Sequence, residues 1–260
     1  LNVADAAIGT IEWTLAQKGN EQLGSVNAIV GETNDGRVNN IRQRFVTPSI
    51  ARKAIEKAKT GLQIEEGNPG AGNRTVAFGF KAGIGTSSRL VTIDGQEYGL
   101  GVLLQANYGD DLHILGVPVG RTLHAVTEQE SASDGSVMIV VATNAPLSDR
   151  NLTRLAKRAI LGIGRTGGTM SNGSGDDVIA FSSNGSVRRT PTRRSTAIPV
   201  TEQPNNNLSP LFAAVIEATE EAVYNSLLAA ESLKGHDNHF YKALPHKKFL
   251  NILSAHGQLR

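Results

Sequence analysis

The chain has no cysteine. Disulfides, thiolate nucleophiles and cysteine-based zinc sites are therefore excluded, and cysteine usage leaves the redox compartment undetermined. Aromatic residues make up only 5% of the sequence. None is interleaved with the arginine pairs Arg188-Arg189 and Arg193-Arg194, so a base-stacking platform for nucleic acid is not expected there. Charge of either sign is nearly balanced, at a formal +2, which gives no strong pull toward nucleic acid or a membrane surface. No apolar run reaches the ~18 residues that span a bilayer. Histidines are scattered. His236 and His239 are the only close pair, and no third ligand stands beside them, so no metal site is expected.

Glycine, by contrast, is plentiful at 28 of 260 residues, which suits tight turns and close backbone approaches. Apolar residues at 39% and charged residues at 19% are ordinary for a globular chain. The length fits one large domain or two small ones. The glycine runs at 67–72 and 162–168 do not match G-x-x-x-x-G-K-[ST], so a phosphate loop is rejected. No G-x-S-x-G elbow is present.

Apolar spacing predicts a helix over 3–17 and a second one opened by Thr47-Pro48, a hydroxyl cap followed by proline at the first helical position. A third is expected from Leu152 to before Gly162, with Arg150, Arg154, Lys157 and Arg158 on its outer face. A long helix follows Ser209-Pro210, and a short one lies between Pro245 and His256. Strands are expected at 25–33, 75–81, 88–93, 98–106, 136–143 and 177–182. Tyr98–Ala106 is apolar on both faces and reads as a central strand. Residues 121–135 read as an exposed polar loop open to cleavage. Elements that alternate in this way imply a sheet layered with helices.

Chemistry is suggested at four places. Gly135-Ser136 joins an acidic loop to the apolar run Val137–Ala142. Cutting that bond would place an α-amine and a hydroxyl on Ser136. An exposed α-amine titrates near ~8, which suits it to act as the serine's own base. In Ser174-Gly175-Asp176 the residues at i and i+2 share a face, so a hydroxyl backed by a carboxylate can address one amine. Asn107, in Gln105-Ala106-Asn107-Tyr108-Gly109, ends a strand and offers an amide to an oxyanion. Asn34, in Gly31-Glu32-Thr33-Asn34-Asp35-Gly36, is polar at another predicted strand end. Each of the four also reads as ordinary turn chemistry when taken alone.

Taken in order, the motifs resemble one family. They are Gly31–Gly36, Gly79-Phe80-Lys81-Ala82-Gly83-Ile84-Gly85-Thr86-Ser87-Ser88-Arg89, Gln105–Gly109, Gly116-Val117-Pro118-Val119-Gly120, the 135–147 tract, Gly162-Ile163-Gly164-Arg165 and Ser174-Gly175-Asp176. The chain is similar over essentially its whole length to the D-aminopeptidase / β-peptidyl aminopeptidase family, DmpA-type N-terminal nucleophile hydrolases. The resemblance implies an α+β fold, a four-layer α/β/β/α sandwich that is Ntn-hydrolase-like with different strand connectivity. It implies a self-processing serine aminopeptidase or amidase that releases N-terminal residues from short peptides, amides or esters. Ser136 would be the nucleophile, and Ser174 and Asp176 would support its amine. Asn107 would donate to the oxyanion. Some members carry an aromatic residue where this chain has Asn34, a candidate substrate contact. The cleavage site would be Gly135–Ser136, which divides a single catalytic domain into 1–135 and 136–260. The two chains would stay together, and members usually form homo-oligomers. No metal or cofactor is implied. Family precursors carry a further N-terminal part before the position matching Leu1. The chain, which opens without Met, therefore reads as a piece of a longer precursor with exposed sheet edges.

Two other readings belong to different classes. One is an acyltransferase of the ornithine acetyltransferase type, whose nucleophile is threonine. The other is a non-catalytic homologue that keeps the fold without processing.

Overall fold

A computed structural model describes residues 2–61, 63–127, 135–190, 193 and 195–259. At its centre is a four-stranded sheet in the order β3-β4-β5-β6, formed by Ile84–Ile93, Gln96–Asn107, Ser136–Thr143 and Gly175–Ser182. Strands β3, β4 and β5 are antiparallel neighbours, and β6 runs parallel to β5. A parallel pair needs a crossover. Helix α4, Asp149–Arg165, supplies it and packs against β6.

Alternation sorts the side chains of the central strands. Leu100, Leu104 and Ala106 of β4 and Val137, Ile139 and Val141 of β5 point to one face and are buried. That face meets α4 and the long helix α5, Ser209–Leu228. Helix α5 fits closely because its inner surface is small. A Cβ on Gly85 of β3 would lie 1.8 Å from the Ala222 carbonyl oxygen. On the opposite face Leu90 and Phe181 remain exposed. The irregular segment 24–34 approaches this face at Gly31, where a Cβ would collide with the end of Met138.

Helices α1, Val3–Leu15, and α2, Pro48–Lys57, pack against each other and approach closely at Gly9. The Thr47 side chain caps α2 by accepting from Ile50 N–H at 3.4 Å. Helix α3 is Val119–Thr127, and α6 is His246–Ala255. Two short hairpins complete the elements. Val76–Ala77 (β1) pairs with Phe80–Lys81 (β2), and Leu233–Lys234 (β7) with Phe240–Tyr241 (β8).

Several sequence expectations are corrected. The run 75–81 is a hairpin rather than one strand, because Phe78 and Gly79 both take positive φ, 53° and 78°. Both central residues of a type I′ turn have that sign. Residues 25–33 form no regular element and join no ladder among the described residues. The first part of the expected loop is helical, as α3, and 128–134 lie outside the described residues. Helix α4 does not stop before Gly162. It continues through that residue because the missing Cβ admits α5, whose Ile216 carbonyl oxygen would stand 2.7 Å from it. Arg154 and Arg158 are not outward but lie over the Phe212 ring of α5, at 5.0 and 3.6 Å from its centroid. Arg193 donates to the Arg188 carbonyl, and Arg194 lies outside the described residues.

Candidate active site

Strand directions bring the candidate residues to one end of the sheet. Strand β4 finishes at Asn107, whereas β5 and the parallel β6 begin at Ser136 and Gly175. The register sets these three abreast, Asn107 opposite Ser136 and Ser136 opposite Gly175. Directly opposed residues on neighbouring strands share a face. The Asn107 and Ser136 side chains therefore lie together on the face turned away from α4 and α5. Ser136 is 7% exposed, and its hydroxyl oxygen has no hydrogen-bond partner among the described residues. An orphaned buried hydroxyl is uncommon and calls for an explanation.

Asn107 is held at both ends of its amide. Its Oδ1 accepts from Val76 N–H at 3.2 Å, and its Nδ2 donates to the Asn34 carbonyl at 3.1 Å. The first contact fixes which end is the donor. A primary amide carries two N–H bonds, so one remains beyond the Asn34 contact. Asn34 thus enters the site through its main chain. Its side chain closes a local turn by accepting from Gly36 N–H at 3.0 Å.

Gly135 is wedged beside the same strand end. A Cβ there would lie 2.3 Å from the Asn107 carbonyl oxygen and 2.4 Å from Tyr108 Cα. No larger residue fits before Ser136 without moving β4. The Gly135 carbonyl accepts from Gly175 N–H at 3.1 Å, so the bond joining Gly135 to Ser136 is fixed from both sides.

Ser174 and Asp176 do turn together, the Ser174 hydroxyl donating to Asp176 Oδ1 at 2.9 Å. Asp176 is level with Val137, whose side chain points toward the helices. The carboxylate is therefore on the opposite face from the Ser136 hydroxyl and accepts from the backbone N–H of Val137. It addresses the main chain at the start of β5 rather than the serine hydroxyl. Burial raises the Asp176 pKa, against the lowering effect of the Ser174 and Val137 hydrogen bonds. Burial likewise pushes the neighbouring Tyr108 phenol well above its usual range, although it bonds Thr166 Oγ1 at 3.1 Å.

A cavity of about 800 Å³ adjoins Asn107 through Asn34 and Gln105. Its lining includes the polar Glu32, Asp35, Arg74 and Gln105 and the apolar Ile41, Phe45, Val46 and Ile50. Sequence reasoning missed this cavity, because its walls come from segments far apart in the chain. It also missed Gly175 as a partner of Gly135, a relation that exists only once β6 is known to be parallel to β5. His236 and His239 belong to the β7–β8 turn, with His239 edge-on to the Tyr241 ring at 4.8 Å.

Comparison with known proteins identifies this arrangement further. The family model described as peptidase family S58 matches residues 1–241. A β-peptidyl aminopeptidase, BapA, of Sphingosinicella microcystinivorans is 40% identical over 248 residues, 89% of this chain and 62% of that protein. BapA of Sphingosinicella xenopeptidilytica is 35% identical over 260 residues, covering 94% of this chain and 64% of its own. The chain thus spans under two thirds of the length of these curated relatives. Among solved structures, the L-aminopeptidase D-Ala-esterase/amidase of Ochrobactrum anthropi superposes with a TM-score of 0.88 at 34% identity, covering 100% of this chain and 72% of its own. That protein is described as a prototype of the serine aminopeptidases and a new variant among the Ntn hydrolase fold. A protein of Pyrococcus horikoshii OT3 superposes with a TM-score of 0.90 at 41% identity, over 99% of this chain and 71% of its own. The fold is accordingly an α+β sandwich of the Ntn-hydrolase type.

Proposed function

The chain belongs to peptidase family S58, and on that premise we propose that the protein it represents is a self-processing serine aminopeptidase or amidase acting on short peptides, amides or esters. The observation that carries the reading is the register that sets Asn107, Ser136 and Gly175 abreast, with the Ser174–Asp176 pair beside the main chain of Ser136.

Processing comes first. Ser136 Oγ attacks the Gly135 carbonyl carbon while Gly175 N–H donates to its oxygen. The C–N bond breaks as C–O forms, giving an ester and a free Ser136 amine. Water then releases the Gly135 carboxylate. Residues 1–135 and 136–260 remain associated as one catalytic domain, because β4 of the first part and β5 of the second share a ladder. The protein assembles further as a homo-oligomer.

Turnover uses the same hydroxyl. The Ser136 amine takes the Oγ proton as Oγ bonds the substrate carbonyl carbon, and the Asn107 amide donates to the oxyanion. The amine returns that proton to the leaving amine or alcohol, and an acyl-enzyme remains. Water attacks it with the amine again as base. Asp176, backed by Ser174, supports the amine as it charges. Glu32 and Asp35 give the adjoining cavity a counter-charge for a substrate ammonium, and Asn34 shapes its mouth. Serine at position 136 disfavours the ornithine acetyltransferase-type reading, whose nucleophile is threonine.

The test is turnover by the full-length protein of amino-acyl amides and short peptides with a free amine. Ser136→Ala should abolish it, and N-acetylated substrates should be inert. Retained hydrolysis in the variant would contradict the assignment.

A further inference from the structure

Lys81, in β2, is fully buried, and no carboxylate pairs with it among the described residues. Burying a lone ammonium is costly, so a lysine in this setting needs a reason. Its Nζ donates to the Gly72 carbonyl at 2.8 Å and to the Ala82 carbonyl. Burial and the nearby Arg74 guanidinium lower its pKa to about 8. The main chain of Lys81 is itself anchored, its N–H donating to the Lys242 carbonyl at 2.7 Å.

The clamped segment leads directly to the site. Gly72 is wedged against β3, where a Cβ would lie 2.3 Å from the Gly67 carbonyl oxygen and 2.6 Å from Ile84 N. Its carbonyl accepts from Thr75 Oγ1 as well, at 3.2 Å. Val76 follows at once, and its N–H is the donor that holds Asn107 Oδ1. That contact and the one from Nδ2 to the Asn34 carbonyl together set the direction of the amide. Without the first, the amide is tethered at one end only and can swing out of line with the developing oxyanion.

We propose that Lys81 is a positioning residue for the reaction, its ammonium clamping the 72–76 segment so that Val76 N–H keeps the Asn107 amide turned with its NH₂ toward Asn34 and Ser136. The inference rests on Asn107 being the oxyanion donor. It explains why a cation is buried among carbonyls in the Gly79–Arg89 motif, to which the chemistry of Ser136 assigns no role.

The experiment compares the processed full-length enzyme with Lys81→Met, which keeps length and apolar volume but deletes the donors. Misplacement of a catalytic group by about 1 Å can cost on the order of 100-fold in rate, so kcat should fall about 10- to 100-fold while KM stays within about 2-fold. In an Asn107→Ala background the same substitution should cost nothing further, because its effect passes through that amide. Should Lys81→Met fail to fold, Lys81→Gln, which keeps one donor for Gly72 but lacks the contact to Ala82, should show a smaller loss of kcat that likewise does not multiply with Asn107→Ala. Wild-type kcat, a rise in KM alone, or a loss that multiplies with Asn107→Ala would overturn the proposal. If Ser136→Ala is dead while Lys81→Met is unimpaired, only this inference fails. If Ser136→Ala remains active, the underlying reading fails.

Discussion

Removing the Asn107 amide separates its two roles. Asn107→Ala would delete the proposed oxyanion donor together with the contacts to Val76 N–H and the Asn34 carbonyl, at 3.2 and 3.1 Å. Loss of one such donor elsewhere costs about 10²–10³ in kcat, or roughly 2.7–4 kcal/mol. The two structural hydrogen bonds contribute about 1 kcal/mol each, so folding stability should fall by about 1–2 kcal/mol. The substrate's ground-state carbonyl is only weakly held by such a donor, so KM should change little. Steady-state kinetics on amino-acyl amides and denaturant unfolding measure the two losses independently. Asn107→Asp should be at least as impaired in kcat, because it retains the acceptor for Val76 but places a carboxylate against the oxyanion. A kcat within about 5-fold of wild type in the alanine variant would refute the argument, since that is far below the cost of a lost donor.

Further expectations concern charge and packing. Burial raises the Asp176 pKa above the usual 3.8 of an aspartate, so the folded state holds that proton more tightly than the unfolded chain. Stability therefore falls as pH rises from 3.8 through the raised value. Asp176→Asn should lack this loss and exceed wild type in stability at neutral pH, while losing turnover; thermal melts from pH 3 to 7, about the span over which such a carboxyl titrates, measure it. Gly162→Val would press a side chain against the Ile216 carbonyl oxygen and Thr219 Cβ, both 2.7 Å from its Cβ. A stability loss of about 1–3 kcal/mol is expected from overpacking, read by urea unfolding with the m-value unchanged.

What the sequence disclosed depended on whether the signal was local. The α2 cap was readable because Thr47-Pro48 carries both of its signals in adjacent residues. Ser174 and Asp176 were readable as a pair because i and i+2 in extended chain face alike, and their hydrogen bond bears that out. Strand β5 was readable from its apolar run. The turn at Phe78-Gly79 was not, because an aromatic residue at positive φ resembles a strand residue. Its conformation is held by tertiary contacts, Phe78 N–H to the Tyr108 carbonyl at 2.8 Å and ring edge to ring at 4.9 Å. The passage of α4 through Gly162 was equally hidden, since that glycine answers to α5, more than fifty residues on. The face addressed by Asp176 needed the β5–β6 register. Lys81 gave no sign of burial in its own neighbourhood, because the Gly72 carbonyl that holds it is brought beside it only by the fold.

The central claim is that Ser136 becomes an N-terminal nucleophile. Intact-mass spectrometry of the full-length precursor after expression, beside its Ser136→Ala variant, tests it most directly. The account predicts two fragments divided between Gly135 and Ser136 in the wild type and a single uncut chain in the variant. A folded wild-type protein that stays uncut, or a variant that is cut at the same bond, would contradict it.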